Sequence, residues 1–529
     1  MGKQQFNSQS KNSQSKDPKL ADGDPASSPQ SERPLQGLPT RQLHRPDDLC
    51  GSDYLAALAL FVVFLGLFLA NMQSRTYGDA AGLLQLASAE TIQLRMHVAY
   101  LPSLALVQAL LPGLGLLAAA KLFSAFCGAL GIAAVYLLGR TLGQSRLVAC
   151  VAATLAGLTP ALWFYSTTVE VHTLQFALVG LGALVVLHSP WHRPSVAISL
   201  SGIMLVAAYG AHETSALLGP GWIALCAFAA RRQGVPLSTR QLWAQVAPTL
   251  TLLGVAASLV LNYYLANESG RTSIETSMFW DYFGAATIQG YLWGGFLVPL
   301  ALLAPLAVVG LVRSELRRPL ALFVLVPFAV LCLWRVSERG AYLLGFLPFL
   351  AVLGAQGIEL IRFRSRPASR NLLFVVLGVQ LLVSLLWTRG FDSILNPANR
   401  VELVEEVTGG KGTIVVPMQI APPLALDFHD LEEISLSPHL SRALREQMPH
   451  EEFAASLAES LEANYSSQMQ GDGLFVETHF GLAKLRGSPH LIVPYLEALN
   501  SALRARFDVE ESQRAEWKIA RLRPKSASQ

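Results

Sequence analysis

Long apolar runs separated by short polar loops fill residues 53–388, and the runs have membrane length. A transmembrane helix needs about 20 mainly apolar residues. The pattern predicts eleven such helices, near 53–71, 117–139, 146–164, 170–188, 195–211, 214–230, 244–265, 291–312, 319–335, 340–361 and 371–388. Segment 101–115, LPSLALVQALLPGLG, is also apolar but is interrupted by Pro102, Pro112 and glycines. It reads as a helix lying in the membrane interface.

The two flanks differ from this middle. Residues 1–48 are rich in Ser, Gln, Pro and Lys and nearly free of large apolar side chains. Such a segment cannot bury a core, so a disordered cytoplasmic arm is expected. The first apolar run starts too late for a signal peptide and is expected to act as an uncleaved anchor. Residues 390–529 hold 20 Asp plus Glu against 13 Lys plus Arg, an ordinary soluble composition. TIVVP (413–417) and GLFVETHF (473–480) read as strands, and EWKIARLRP (516–524) as a closing strand. LSRALREQM, EEFAASLAESLEANY and VPYLEALNSALRARF read as helices. The fold class is therefore an α-helical polytopic membrane protein with a small exported α/β or helical domain. Its expected parts are the arm at 1–48, a transmembrane domain at 49–389 and a soluble domain at 390–529.

Composition agrees and excludes a purely soluble protein. The chain is 52% hydrophobic and 15% charged, where soluble domains average about 25% charged. None of the 5 cysteines falls in the tail, so no disulfide framework is available there. Gly409-Gly410-Lys411-Gly412 precedes a strand rather than following one, and reads as a turn rather than a phosphate loop.

Charge sets the expected orientation. Arg140 and Arg146, Arg193, Arg231, Arg232 and Arg240, Arg313, Arg317 and Arg318, and Arg362 to Arg370 recur in alternate loops, which become cytoplasmic. The N-terminus is then inside and the tail outside. The exported loops collect Asp79, Glu90, His97, Glu170, His172, His212, Glu213, Arg335 and Arg339.

An ionisable group at a membrane edge, flanked by apolar sequence, reads first as functional. Asp79 sits in a Tyr-Gly-Asp turn before an amphipathic stretch. It suits a catalytic carboxylate and also a helix N-cap, and the two roles can coexist. Glu170 and His172 follow WFYSTTV, where Thr167 or Thr168 would cap the next helix and Glu170 would favour its dipole. Arg335 and Arg339 suit bidentate phosphate binding, or interface anchoring. His212-Glu213 falls between two spans and reads as a capping pair or a binding site. Two carboxylates with His97 or His172 could hold a divalent cation, though no spacing identifies a metal.

The order YGDAAGLLQLA, RMHVAYLP, AKLFSAFCGALGIAAVYLLGRTL, TPALWFYSTTVEVHTL and ERGAYLLGFLPFLAVL resembles that of GT-C-fold glycosyltransferases, over about residues 50–390. It looks most like the DUF2723 group, which includes the TMEM260-type protein O-mannosyltransferases. More distant are the protein O-mannosyltransferase and aminoarabinose-transferase groups. The resemblance implies a catalytic Asp at Asp79 and a following His motif at His97, with Tyr100 beside it. It also implies a Trp-Glu-Val element at Trp163, Glu170 and Val171, with His172 in the place of a Tyr. This chain reads Gly78-Asp79-Ala80-Ala81-Gly82 where the group reads Gly-Asp-Ser-Gly-Glu, so the second acid is missing.

The expected activity is transfer of a sugar from a polyprenyl-phosphate donor to a protein, lipid or glycan acceptor outside the cytoplasm. Asp79 and Glu170 would be catalytic, and His97, Tyr100, His172, Glu213, Arg335 and Arg339 would bind substrate. The partners are donor, acceptor and membrane lipid, with no nucleic acid, and the location is a bacterial inner membrane. The alternatives are a non-catalytic relative in envelope polysaccharide assembly and a transporter. Against the transporter, no pair of spans shows repeat symmetry.

Overall fold

The computed structural model describes residues 49–74, 80–88, 97–188, 194–235, 237–266, 296–313, 317–331, 338–364, 369–392, 397–416, 424, 427–428, 430–436, 439–440, 442–443, 446–478, 489–515 and 517–525. The arm expected at 1–48 lies outside them.

Among the described residues, helices fall within each predicted apolar run. In order they are α1 (Gly51–Ala70), α2 (Ala80–Ser88), α3 (Tyr100–Leu110), α4 (Leu116–Thr141), α5 (Arg146–Gly157), α6 (Pro160–Ser166), α7 (His172–Leu187), α8 (Pro194–Ala211), α9 (Gly219–Arg232) and α10 (Thr239–Ala266). There follow α11 (Leu303–Arg313), α12 (Arg317–Leu331), α13 (Leu347–Arg364) and α14 (Ser369–Asp392). Among the described residues, five helical stretches are long and apolar enough to cross a membrane: 51–70, 116–141, 194–211, 213–232 and 239–259. The expected single helix at 146–164 is instead two, α5 and α6, bent by 62°. Pro160 explains the break. It opens α6 at a position that needs no N–H and holds the preceding Thr159 in extended backbone.

The helices approach closely because small residues line their contacts, as expected where lipid supplies no hydrophobic drive. Helix α4 is the hub, packed on α1, α5, α6 and α7. Helices α11 and α13 touch most intimately. A Cβ added at Gly310 would run into the Leu353 carbonyl, and one at Gly357 into the Leu306 carbonyl. Apolar side chains such as Leu58, Val62, Leu252, Leu259, Phe374 and Leu382 point outward, as lipid-facing positions must.

One end of this bundle is closed by a buried carboxylate. Asp53, in the first turn of α1, is fully buried. It accepts from Tyr136 Oη at 3.0 Å and Arg140 Nε at 3.0 Å on α4, and from Arg146 Nε on α5 at 3.1 Å. Two arginines of the charge pattern are thus also structural ties.

The tail folds as an α/β unit: α15 (Pro397–Thr408), β1 (Lys411–Val416), β2 (Asp430–Ser435), α16 (His450–Gln470), β3 (Leu474–Glu477), α17 (Pro489–Arg506), β4 (Phe507–Arg514) and β5 (Trp517–Pro524). The sheet order is β2-β1-β3-β5-β4, parallel for β2-β1-β3 and antiparallel thereafter. Its central strands are buried on both faces. Val415, Leu474, Val476 and Leu522 meet α16 and α17 on one side, while Ile414, Val416, Phe475 and Ile519 meet Leu403 and Val404 of α15 on the other. The Gly409-Gly410 turn enters β1 in the left-handed region.

Arg400 is buried between α15 and the sheet, bonded to Glu477 and 4.0 Å from Glu433. It also lies over the Trp517 ring at 5.6 Å. Burial opposes its charge, but Glu477 and Glu433 outweigh that and hold it above its ordinary range. Burial pushes the Glu433 carboxyl up despite Arg400.

Two stability outcomes follow from these contacts. Gly310→Ala overpacks a backbone contact and should cost about 1–3 kcal/mol. Gly378→Ala, on a face of α14 with open space, should cost nothing. Thermal unfolding in detergent distinguishes them. Arg400→Met strands buried carboxylates and should cost about 3–5 kcal/mol. Its pH dependence has a fixed sign. Glu433 loses its partner and its pKa rises further, so the folded state binds a proton more tightly than the unfolded chain. The loss is then full at pH 8 and shrinks as pH falls. Equal losses at pH 8 and pH 5 would show that no charge is stranded.

Candidate active site

Three histidines from distant parts of the sequence meet at one end of the helices. His212 ends α8 in extended backbone and caps the 3-10 turn Glu213–Leu218, with Nδ1 accepting from the Thr214 N–H at 3.3 Å. His172 opens α7. His97 precedes α3 at φ +67°, a left-handed value unusual for a non-glycine residue. Two bonds hold it there: His97 Nδ1 to Ala211 O at 2.7 Å, and Ala99 N–H to Gly210 O at 2.8 Å. The strained turn is thus strapped to the end of α8.

The rings pack against each other. The centroids of His172 and His212 are 4.1 Å apart and those of His97 and His212 5.5 Å. Tyr342, from the 3-10 turn Glu338–Leu343, completes the cluster at 5.5 Å from His172 and 5.4 Å from His212. Hydrogen bonding assigns the tautomers. His97 Nδ1 faces a carbonyl and must carry its proton, leaving Nε2 the acceptor. His172 Nδ1 faces Gln175 Oε1 at 3.0 Å, because the Gln175 amide donates to Thr214 Oγ1 and Ser215 Oγ. Its acceptor is again Nε2. His212 is the reverse, since Nδ1 already accepts from a backbone N–H, and its Nε2 is the donor. Glu213 Oε2 lies 3.9 Å from that nitrogen. Burial, reinforced by His97, holds His212 well below the ordinary imidazole range.

Glu170 stands at the neck between α6 and α7. Its N–H donates to Ser124 Oγ of α4 at 3.0 Å, and its own Oε1 accepts from the Val171 N–H at 2.7 Å. The expected caps, Thr167 and Thr168, do not cap α7: Val171 takes that position. Thr167 closes α6 instead. Tyr100 is buried in a neighbouring apolar cluster with Val169 and Val171, which flank Glu170.

His97 and His172 are therefore brought together, with Glu213 at the rim and Glu170 two residues from His172. Asp79, Glu90 and Arg335 lie outside the described residues. Arg339 belongs to the turn that carries Tyr342, and its side chain is outside the description. Sequence reasoning missed Tyr342 and Gln175, and it read His212-Glu213 only as a capping pair or a binding site. In fact His212 is the centre of the cluster. The available signal was that His97, His172 and His212 all fall on one side of the topological count. Among the described residues, no three His, Cys, Asp or Glu side chains are arranged to hold a metal ion.

No protein-family model matches the sequence, and no curated protein matches it. Its shape does match solved structures. ArnT from Cupriavidus metallidurans in the apo state aligns with TM-score 0.54 at 12% identity, over 88% of this chain and 98% of that one. The same protein bound to undecaprenyl phosphate aligns with TM-score 0.53 at 13% identity, over 90% and 99%. A third, arabinofuranosyltransferase AftD from Mycobacteria, reaches 0.46 and is too loose to bear on the fold. The fold is therefore GT-C-like, from the membrane helices to the mixed sheet of the tail.

The cluster should make the protein acid-sensitive. An imidazole held neutral when folded binds a proton more readily when unfolded, so stability is lost as pH falls below about 6.5. His212→Asn keeps an N-cap acceptor and removes that titration. Its melting temperature should fall less than that of the wild type between pH 7.5 and 5.5. Parallel curves would remove His212 from the acid response.

Proposed function

We propose that this chain is a membrane glycosyltransferase of the GT-C type. It takes a sugar from a polyprenyl-phosphate donor and transfers it to a protein, lipid or glycan acceptor on the non-cytoplasmic face of the membrane. The observation that carries this reading is the near end-to-end likeness to ArnT, one structure of which holds undecaprenyl phosphate. The finer resemblance to the DUF2723 group has no family match behind it, and the reading stops at the GT-C type.

In this reading Asp79 is the catalytic carboxylate. It takes the proton of an acceptor hydroxyl as that oxygen attacks the anomeric carbon. The bond from that carbon to the phosphate oxygen breaks, and polyprenyl phosphate leaves with the bonding pair. Arg335 and Arg339 stabilise its charge. Glu170 supports the acceptor from the α6–α7 neck. His97 and His172 offer Nε2 lone pairs and His212 an N–H, a donor and acceptor set suited to sugar hydroxyls. Tyr100 and Glu213 border this set. The N-terminus is cytoplasmic and the tail exported, as in a bacterial inner-membrane protein.

The test is radiolabel transfer from membrane-extracted polyprenyl-phosphate sugars. Asn matches the shape of Asp and caps a helix as well, so Asp79→Asn should preserve folding while lowering turnover by about 10²–10⁴-fold. Full activity of Asp79→Asn, with Asp79→Ala merely unstable, would falsify the catalytic role and leave Asp79 a cap.

A further inference from the structure

Gln73 lies just past the end of α1 and is buried, yet its hydrogen bonds go to another part of the chain. Its backbone N–H donates to Thr167 O at 2.8 Å. Its side-chain amide donates to Phe164 O at 2.7 Å and to Thr167 Oγ1 at 2.8 Å. From the other side, Lys121 Nζ of α4 donates to Gln73 O at 2.6 Å and to Ser74 O at 3.5 Å. The chain leaving α1, the end of α6 and the first turns of α4 therefore meet at one residue. One turn further along α4, Ser124 Oγ bonds both the N–H and the carbonyl of Glu170, at 3.0 Å and 3.3 Å. In sequence, Ser74 stands five residues before Asp79, and Thr167 stands three before Glu170.

We infer that Gln73 is a positioning residue that locks the chain leaving α1 onto the α6–α7 neck that carries Glu170. The functional half of this inference rests on the reading of Glu170 given above; the tether itself does not.

Two details favour a tether over a simple core residue. The acceptors on α6 do not need Gln73, because Phe164 O already receives the Thr167 hydroxyl at 3.0 Å and the Thr167 N–H at 3.3 Å. Gln73 also carries a cost: its Oε1 is buried with no hydrogen-bond partner among the described residues. A buried acceptor left unmet lowers stability, and an apolar side chain of the same length would avoid the loss. Stability alone is thus a poor reason for an amide here. Two donors aimed at the neighbouring segment are a good one.

The experiment is hydrogen exchange on the full-length protein in lipid nanodiscs, wild type against Gln73→Met. Methionine keeps the length of the side chain and the backbone bond to Thr167. Peptides covering 68–74 and 164–171 should both exchange about tenfold faster, the worth of a typical hydrogen bond. The melting temperature should hold or rise. Wild-type exchange in 164–171 would overturn the tether, as would a lower melting temperature with equal acceleration in remote α10. Should Gln73→Met not fold, Lys121→Met loosens the same junction from the α4 side and must accelerate the same two segments. In the transfer assay, positioning predicts a fall in kcat at unchanged donor KM. A raised KM at unchanged kcat would contradict it. A wild-type protein that transfers no sugar, with the exchange result intact, would sink the glycosyltransferase reading and leave the tether standing.

Discussion

Close approach of helices around α4 is the constraint on which everything else depends. Lipid competes with apolar side chains on equal terms, so membrane helices associate through packing and internal polar bonds rather than through water exclusion. Small residues on α4 make room for partners: a Cβ at Gly131 would collide with the Phe176 ring, and one at Gly128 with Ser166. Because α1, α6 and α7 all close on this helix, the chain segments between them emerge within hydrogen-bonding distance of one another. Gln73, Ser124 and Glu170 bond across that junction.

The two ends of the same helices use polarity differently. At the Asp53 end, a buried carboxylate is matched by Arg140, Arg146 and Tyr136, and the arrangement is a tie. Breaking such a pair from one side is costly, while the pair as a whole adds little. The histidine end is built differently. The imidazoles of His172 and His212 pack beside Tyr342, His172 against the Gln175 amide and His212 against Thr214. Low polarity strengthens each of these bonds and makes an unmet partner expensive.

The tail repeats the logic around a sheet. Its central strands are buried on both faces, and two buried carboxylates, Glu433 and Glu477, enclose the Arg400 guanidinium. The antiparallel edge is instead charged and exposed, with Arg523 facing Glu510 across β5 and β4. Charge on an edge strand discourages pairing with other chains.

The sequence alone determined the helical segments and three strands of the tail, because apolar runs of membrane length and doubly buried strands such as TIVV are local signals. It missed β2 and β4, since DLEEIS and FDVEESQR bury too few residues to show a pattern. It placed His97, Glu170 and His172 as candidates because charge and polarity at a span end are visible in one dimension. Only the tertiary structure decided that His212 joins His97 and His172, that Tyr342 covers them, and that α5 and α6 bend apart. Those facts depend on which helix ends meet, and that is set by side-chain packing between segments up to hundreds of residues apart. Periodicity along the chain carries no record of it.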